Sequence, residues 1–270
     1  MNAREVVKSH QNLKYQYDND IADVFEEYLQ TDYRRAAKEL FVAAVGDVEG
    51  QRVLELSCGT GAIARGLKQA YPSASILGSD ISSGMIALAR EIEAAEPLGI
   101  QYLVGDAMTQ GAVDGGNYDV VVAHCLFCYA KDKTELRSMA QTCYENLRPG
   151  GRLVLAVNND VWTRTSIKRP YRAGVSIFQA PISGRNPVDT QEGEQCQCNV
   201  KLADGKTETS WHYHWGEQTC LQMLESVWFS QAKLEPFTLE LVPDSQRFDS
   251  GYTSFVDFPF SSILPAWKPE

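Results

Sequence analysis

The sequence predicts an α/β protein built on a doubly wound parallel sheet with helices on both faces. Between residues 52 and 158, short apolar or β-branched runs alternate with amphipathic stretches. A glycine-rich segment follows the first run, and a proline and two glycines precede the last. Alternation of this kind is typical of a parallel sheet, because a helix usually makes the crossover between parallel strands.

The apolar runs are the predicted strands of this sheet. They are Arg52–Ser57, Ser75–Ser79, Ile100–Gly105, Tyr118–His124 and Arg152–Asn158. The amphipathic stretches between them predict helices at Ile63–Tyr71, Gly84–Ala95 and Lys133–Leu147. Ligands of such sheets bind at the carboxyl ends of the strands, near the point where the strand order reverses. We therefore expect the functional site at this edge of a core formed by residues 46–158.

Residues 1–45 are predicted to form a helical cap over that core. Two helices are indicated at Asn19–Tyr28 and Arg34–Val45. Thr31 and Asp32 supply side chains suited to cap the amino end of the second helix, and Gly46 ends it.

Beyond the core, residues 159–209 are predicted to be an inserted lid or substrate-binding element. Arg169–Ser210 is rich in Pro, Gly, Gln and Asn, with weak strand patterns at Val175–Gln179 and Cys196–Leu202. Residues 210–270 are predicted to complete the sheet. Their expected elements are a returning strand at Ser210–Trp215, a helix at Glu217–Phe229, a last strand at Phe237–Val242 and an extended tail at Tyr252–Trp267.

The amino-acid composition limits the kinds of molecule that this protein is expected to bind. The chain has 35 acidic and 25 basic residues, for a net charge of −10, which disfavours nucleic-acid binding because that affinity draws on lysines and arginines. The first residues contain no apolar leader, and no run of about 18 apolar residues predicts a membrane span. We expect a cytoplasmic protein with a small-molecule partner and reduced cysteines, and the sequence leaves the oligomeric state open.

The glycine-rich segment after the first strand is the strongest candidate for a cofactor site. In Glu55–Ala62, Gly59 and Gly61 let a ligand approach the backbone, and Asp80 ends the second strand, where a carboxylate can accept both hydroxyls of a ribose. The same features fit a nicotinamide-dependent oxidoreductase.

Further segments, in the same order along the chain, resemble the class I S-adenosylmethionine-dependent methyltransferases. The resemblance is carried by Val53–Gly61, Gly78–Ser82, Gly105–Ala107, Asn117–Ala123 and Asn146–Leu153. It implies a Rossmann-like methyltransferase sheet and S-adenosylmethionine as the cofactor. The last segment also has a physical explanation. A helix is expected to stop at Pro149, Gly150 and Gly151, and the chain then turns tightly into the next strand.

The resemblance also implies roles for individual residues. The methionine part of the cofactor would lie in the loop that holds Glu55, Ser57, Gly59 and Gly61, and Asp80 would hold the ribose. Around the adenine, Ile81 and Met85 would pack on its faces, and Asp106 would accept from its amino group beside the Ala107 backbone. The residues expected to face the methyl group are His124 and Cys125.

Four further segments indicate a particular branch of this family. Tyr17–Ala22, Tyr28, Leu98–Ile100 and Tyr213–Trp215 resemble the toxoflavin-synthase-like and UbiE-like branch. In that branch the N-terminal helices close over the cofactor, which implies that Tyr17, Tyr28 and either Arg34 or Arg35 contact its methionine carboxylate. More loosely, chain length and arrangement resemble fungal gliotoxin-type dithiol S-methyltransferases.

Several histidines and aromatic residues are candidates for the acceptor side. His124 is the candidate general base, and the alternative is that it only shapes the pocket at the end of its strand. The candidates for substrate binding are Phe127, Tyr129, Phe178, His212 and His214, with ordinary core packing as the alternative. No metal is predicted, because Cys196-x-Cys198 is spaced more closely than the usual cysteine pairs of zinc sites.

The predicted function is methyl transfer from S-adenosylmethionine to a sulfur, nitrogen or oxygen atom of a small secondary metabolite. The preferred acceptor is a thiol of a gliotoxin-like dithiol, and an N- or O-methyltransferase is the alternative within this class. Outside it, an NAD(P)-dependent oxidoreductase and a non-methylating relative that keeps the cofactor site stay open.

Overall fold

A computed structural model describes most of the chain. The described residues are 32–109, 111, 113–158, 169–170, 176–184, 186–201, 207–242 and 261–270, together with Ala22, Phe25, Glu26 and Leu29. None of the helices in these parts of the chain combines the length and apolar character needed to cross a membrane.

The described strands form two sheets. In chain order they are β1 (Arg52–Leu56), β2 (Ser75–Asp80), β3 (Gln101–Val104), β4 (Tyr118–His124), β5 (Leu147–Asn158), β6 (Arg169–Pro170), β7 (Ser176–Pro181), β8 (Gln195–Lys201), β9 (Thr207–Tyr213) and β10 (Ser261–Trp267). The central sheet has the order β10-β5-β4-β1-β2-β3, and only β10 runs antiparallel to its neighbour within it. The predicted Rossmann-like α/β fold is therefore confirmed.

Helices cover both faces of this sheet. They are α1 (Asp32–Val45), α2 (Ala62–Ala70), α3 (Ser83–Ala95), α4 (Lys133–Asn146) and α5 (Glu217–Ser226). Successive strand residues point to opposite faces. Val53 thus joins the cluster buried against α1, α2 and α3, whereas Leu54 joins the cluster against α4 and α5. Burial on both faces explains why the strands read as continuous apolar runs in the sequence.

Side-chain caps fix where two of the helices begin. The Ser82 hydroxyl accepts a hydrogen bond from the Met85 amide at 3.1 Å, at the amino end of α3. The Asp132 carboxylate accepts from the amides of Thr134 and Glu135, both at 2.9 Å, at the amino end of α4. Such caps satisfy amides that the first turn of a helix leaves without partners.

The second sheet lies in the region predicted to be a lid. Its strands are antiparallel in the order β6-β7-β8-β9. The strand predicted at Ser210–Trp215 is observed as part of β9, but it pairs with β8 rather than returning to the central sheet. Hydrogen bonding to residues 195–201 of β8 accounts for this placement. The boundaries proposed for the lid and the other domains stay predictions.

The predicted last strand at Phe237–Val242 is wrong. This segment contains a short 3₁₀ turn at Leu239–Leu241, and its apolar ends Phe237 and Val242 are buried against the central sheet. The edge strand is instead β10, within the segment expected to be an extended tail. The sequence pattern did not indicate this strand because it contains Pro265. Proline cannot donate a hydrogen bond to a neighbouring strand and is tolerated mainly at sheet edges.

Candidate functional site

A cavity of about 280 Å³ opens at the carboxyl ends of the central strands. Its floor is formed by the ends of β1, β2 and β4 and by the loop after β3. Residues of α1 and of the preceding N-terminal segment line one side, and residues of β8 and β9 line another. The site is thus where the topology of a doubly wound sheet predicts it.

The glycine-rich loop leads from β1 into α2. Gly61, near the end of this loop, has a φ of 82° and directly precedes α2 without a side-chain cap. Buried Glu55 lies beneath this turn, and its Oε2 accepts a hydrogen bond from the Ala64 amide at 2.9 Å. Burial raises the pKa of the Glu55 carboxyl to about 8. This carboxyl also lines the cavity.

Asp80 joins the same loop to the end of β2. Its Oδ2 accepts from the Gly59 amide at 2.8 Å, and its Oδ1 accepts from the Ser82 amide at 2.9 Å. Burial raises the pKa of the carboxyl, against the lowering effect of these hydrogen bonds. The two bonds hold the carboxylate in a fixed orientation at the cavity wall.

Two residues with a left-handed backbone directly follow the neighbouring strands β1 and β4. Ser57 has a φ of 56° and Cys125 a φ of 60°. The Ser57 hydroxyl donates to the Leu56 carbonyl at 2.6 Å and approaches the His124 carbonyl at 3.2 Å. Side chains rarely adopt such backbone conformations outside sites that need them. Both residues line the cavity.

A short polar network ties the N-terminal segment to the glycine loop. One carboxylate oxygen of Glu26 accepts from the Thr60 hydroxyl, and the other lies 2.9 Å from the Arg65 guanidinium. Phe25 and Leu29, from the same segment, line the cavity. The described residues of this segment therefore lie against the glycine-rich loop and the cavity.

Most of the predicted cofactor residues meet at this cavity. Those that line it are Arg34, Glu55, Ser57, Gly59, Asp80, Ile81, Met85, Asp106, Ala107, His124 and Cys125. Gly61 does not line it, because the Tyr102 side chain occupies the space beside this glycine. Tyr17 and Tyr28 lie outside the described residues.

The predicted acceptor residues divide into two groups. Tyr129 and His212 line the cavity. Phe127 is instead buried in the core on the α4 side of the sheet, and His214, which lies beyond the end of β9, is buried away from the cavity. Phe178 is in β7, and its side chain lies outside the described part of the structure.

His212 contributes a buried imidazole to the cavity wall. Burial lowers its pKa to about 4, so the ring is neutral at physiological pH. Its Nε2 has no hydrogen-bond partner among the described residues. A neutral imidazole nitrogen at a cavity wall can accept a hydrogen bond from a ligand.

Sequence reasoning missed several residues that line the cavity. Cys198 and Ser210 reach it from β8 and β9, and Cys128 reaches it from the turn after β4. The signal that was available is the Cys-x-x-Cys spacing of Cys125 and Cys128. Within the described ranges, no three His, Cys, Asp or Glu side chains form a cluster able to hold a metal ion.

Comparisons with known proteins agree with this geometry. Residues 53–151 match the family model described as a methyltransferase domain. A demethylmenaquinone methyltransferase of Thermus thermophilus is 34% identical over 105 residues, which are 39% of this chain and 46% of the relative. A trans-aconitate 2-methyltransferase of Deinococcus radiodurans is 30% identical over 164 residues, 60% of this chain and 58% of the relative. The chain spans about half the length of the curated relatives it matches.

Solved structures extend the likeness to nearly the whole chain. The CcbJ methyltransferase from Streptomyces caelestis has a TM-score of 0.66 at 20% identity, covering 95% of this chain and 99% of its own. An S-adenosylmethionine-dependent methyltransferase from Clostridium acetobutylicum has a TM-score of 0.63 at 13% identity, covering 93% and 99%. The predicted methyltransferase domain is thus confirmed over residues 53–151, and the neighbour from Clostridium acetobutylicum is a methyltransferase that depends on S-adenosylmethionine.

Proposed function

We propose that the whole chain is an S-adenosylmethionine-dependent methyltransferase that acts on a heteroatom of a small molecule. The observation that carries the proposal is the arrangement of Glu55, Asp80 and Asp106 along one cavity of the methyltransferase domain. Part of the wall of that cavity comes from the second sheet, where His212 lies. The site thus has a cofactor side and an acceptor side.

The cofactor side is acidic, as S-adenosylmethionine requires. This cofactor carries a sulfonium and an ammonium group but no phosphate, so carboxylates rather than lysines suit its pocket. In our proposal Asp80 accepts from the ribose hydroxyls, Asp106 lies at the adenine amino group, and Glu55 lies towards the ammonium. Exposed Ile81 and buried Met85 supply apolar surface for the adenine.

The methyl group would lie at the end of β4. Transfer is an in-line displacement, in which an acceptor electron pair forms the new bond to carbon while the carbon–sulfur bond breaks and its pair stays on sulfur. Alignment and exclusion of water are the main tasks of the protein. His124 and Cys125 at the strand end and His212 from β9 surround the proposed acceptor position.

We further propose a thiol of a dithiol metabolite, similar to gliotoxin, as the acceptor, and a place in the toxoflavin-synthase-like and UbiE-like branch. The lowered pKa of His212 supports a thiol, because a weak base suffices for a group that ionises readily. The alternatives are an amine, which can also react without a strong base, and a hydroxyl, which would need a general base such as His124.

Two measurements test the proposed function. Calorimetric titration is expected to show binding of S-adenosylmethionine and none of NAD, and the opposite result would make the protein an oxidoreductase. Mass spectrometry after incubation with thiol, amine and phenol panels is expected to show a singly methylated thiol. Binding without any methylated product would identify a non-methylating relative.

Replacing His124 by glutamine separates the acceptor classes. With a phenol, loss of a general base is expected to lower kcat by about 100-fold, whereas with a thiol the decrease should stay below about tenfold. His214→Gln is the matched control, because His214 is buried but does not line the cavity. Equal losses with both acceptors would argue that His124 only shapes the pocket.

Cofactor affinity is expected to rise with pH until about pH 8. Burial raises the pKa of Glu55 to about 8, so its carboxyl is protonated at neutral pH in the unbound protein. A cofactor ammonium beside it favours the carboxylate, so binding below pH 8 releases a proton and strengthens by up to about tenfold per pH unit.

Calorimetry in two buffers of different ionisation enthalpy measures that proton release. Glu55→Gln is an isosteric variant without the ionisable group, and its affinity should vary less with pH than that of the unsubstituted protein. The same pH dependence in both proteins would exclude Glu55 as the titrating group.

A further inference from the structure

We propose that Cys125 and Cys128 form a dithiol pair that undergoes thiol–disulfide exchange with small-molecule disulfides that enter the cavity. The pair closes to an internal disulfide and opens again in the presence of a reducing thiol. This inference does not depend on the proposed methyl transfer, since it concerns the chemistry of two side chains that line the cavity.

The local backbone brings the two cysteines together. Cys125 follows the last residue of β4, and its positive φ turns the chain into the 3₁₀ helix Phe127–Tyr129. This turn carries Cys128 back, so that its Sγ lies 3.1 Å from the Cys125 carbonyl oxygen. The two residues thus have the Cys-x-x-Cys spacing found in disulfide oxidoreductases, with the Cys128 side chain against the backbone of Cys125.

The two thiols differ in reactivity. The Cys128 thiol beside it, helped by His124 and Arg34, holds the pKa of the Cys125 thiol well below its usual range. The Cys125 thiol, together with burial, in turn raises the pKa of Cys128. Cys125 is also the more exposed of the pair. A partly exposed thiolate beside a second thiol is the arrangement that attacks disulfides.

The exchange consists of two successive displacements at sulfur. The Cys125 thiolate attacks one sulfur of the disulfide, forms a mixed disulfide and releases the other sulfur as a thiolate. That thiolate takes the proton of Cys128, whose sulfur then attacks Cys125 and releases the second half of the reagent as a thiolate. Two protein thiols are oxidised, and one small-molecule disulfide is reduced to two thiols.

Cys198 provides a control within the same cavity. It is partly buried and lines the cavity, but burial raises the pKa of its thiol to about 11. Cys143 is fully buried in the core, and burial raises the pKa of its thiol to about 12. If exposure to the cavity alone set the rate of reaction with a disulfide, Cys125 and Cys198 would react at similar rates. The proposed pair predicts instead that the Cys125 thiol reacts faster.

The experiment is peptide mapping of the full chain after incubation with glutathione disulfide, without S-adenosylmethionine. Remaining thiols are alkylated at intervals, and peptides are identified by mass spectrometry. We expect an internal disulfide between Cys125 and Cys128 that dithiothreitol reverses, with Cys125 reacting at least about tenfold faster than Cys198. Equal rates at Cys125 and Cys198, or a disulfide from Cys125 to Cys198, would overturn the proposal.

Two variants test the order of the steps. Cys128→Ser is expected to stop after the first displacement and to accumulate one glutathione on Cys125. Cys125→Ser is expected to gain no glutathione at Cys128. Trapping on Cys128 in that variant would contradict the assignment of the attacking thiolate. The rate comparison in the unsubstituted protein stands even where a variant folds poorly.

Discussion

Replacing Asp80 by asparagine is expected to weaken S-adenosylmethionine binding by about 100-fold, because hydrogen bonds to a charged group each contribute about 1.5–3 kcal/mol. Both Asp80 oxygens accept backbone amides, from Gly59 and Ser82. An asparagine amide would turn an NH₂ group towards one of these donors, and it would remove the charge proposed to hold the ribose hydroxyls. Calorimetric titration with the cofactor measures the loss.

Asp114→Asn is the matched control for that experiment. Asp114 is an exposed carboxylate whose positive φ asparagine tolerates, and it does not line the cavity. Its replacement should leave cofactor affinity unchanged. If the Asp80 variant also bound the cofactor with unchanged affinity, the ribose would have to lie elsewhere in the cavity.

Replacing Gly61 by alanine is expected to destabilise the protein by about 2–5 kcal/mol. A left-handed backbone costs about 1–2 kcal/mol for an L-residue, and forcing extra volume into a packed site costs about 1–3 kcal/mol. Gly61 has a φ of 82°, and a Cβ there would overlap the Tyr102 ring. Urea denaturation gives the free energy of unfolding directly.

Gly99 separates the backbone contribution from the steric one. It has a φ of 84°, and an added Cβ would meet nothing within 4 Å, so Gly99→Ala should cost only about 1–2 kcal/mol. In a Tyr102→Leu background, Gly61→Ala should also lose part of its effect. A Gly61 variant no less stable than the Gly99 variant would show that Tyr102 moves aside at no cost.

The sequence predicted well those features that depend on the pattern of neighbouring residues. Strands buried on both faces appear as apolar runs, and the Glu55 loop and Asp80 come at the ends of such runs. Since parallel strands place their carboxyl ends at one edge, these residues could be predicted to converge, and they line one cavity. Their individual roles towards the cofactor stay predictions.

The prediction was weaker where residues meet only through strand pairing. Phe237–Val242 has an apolar pattern that suits a strand, yet Ser261–Trp267 is the segment that pairs with β5. Phe127 and His214 have side chains that suit a ligand pocket, but packing places both in the interior away from the cavity. Neither outcome is encoded within a few residues of the position concerned.

Local periodicity and glycine chemistry were enough to predict the α/β class, the glycine-rich loop and the edge of the sheet where the cavity lies. Which side chains of the second sheet line that cavity depends on tertiary packing. His212 and Cys198 reach the cavity because β8 and β9 pair with each other and lie beside the end of β4. The closeness of Cys128 to Cys125 likewise depends on a turn that begins at a positive φ.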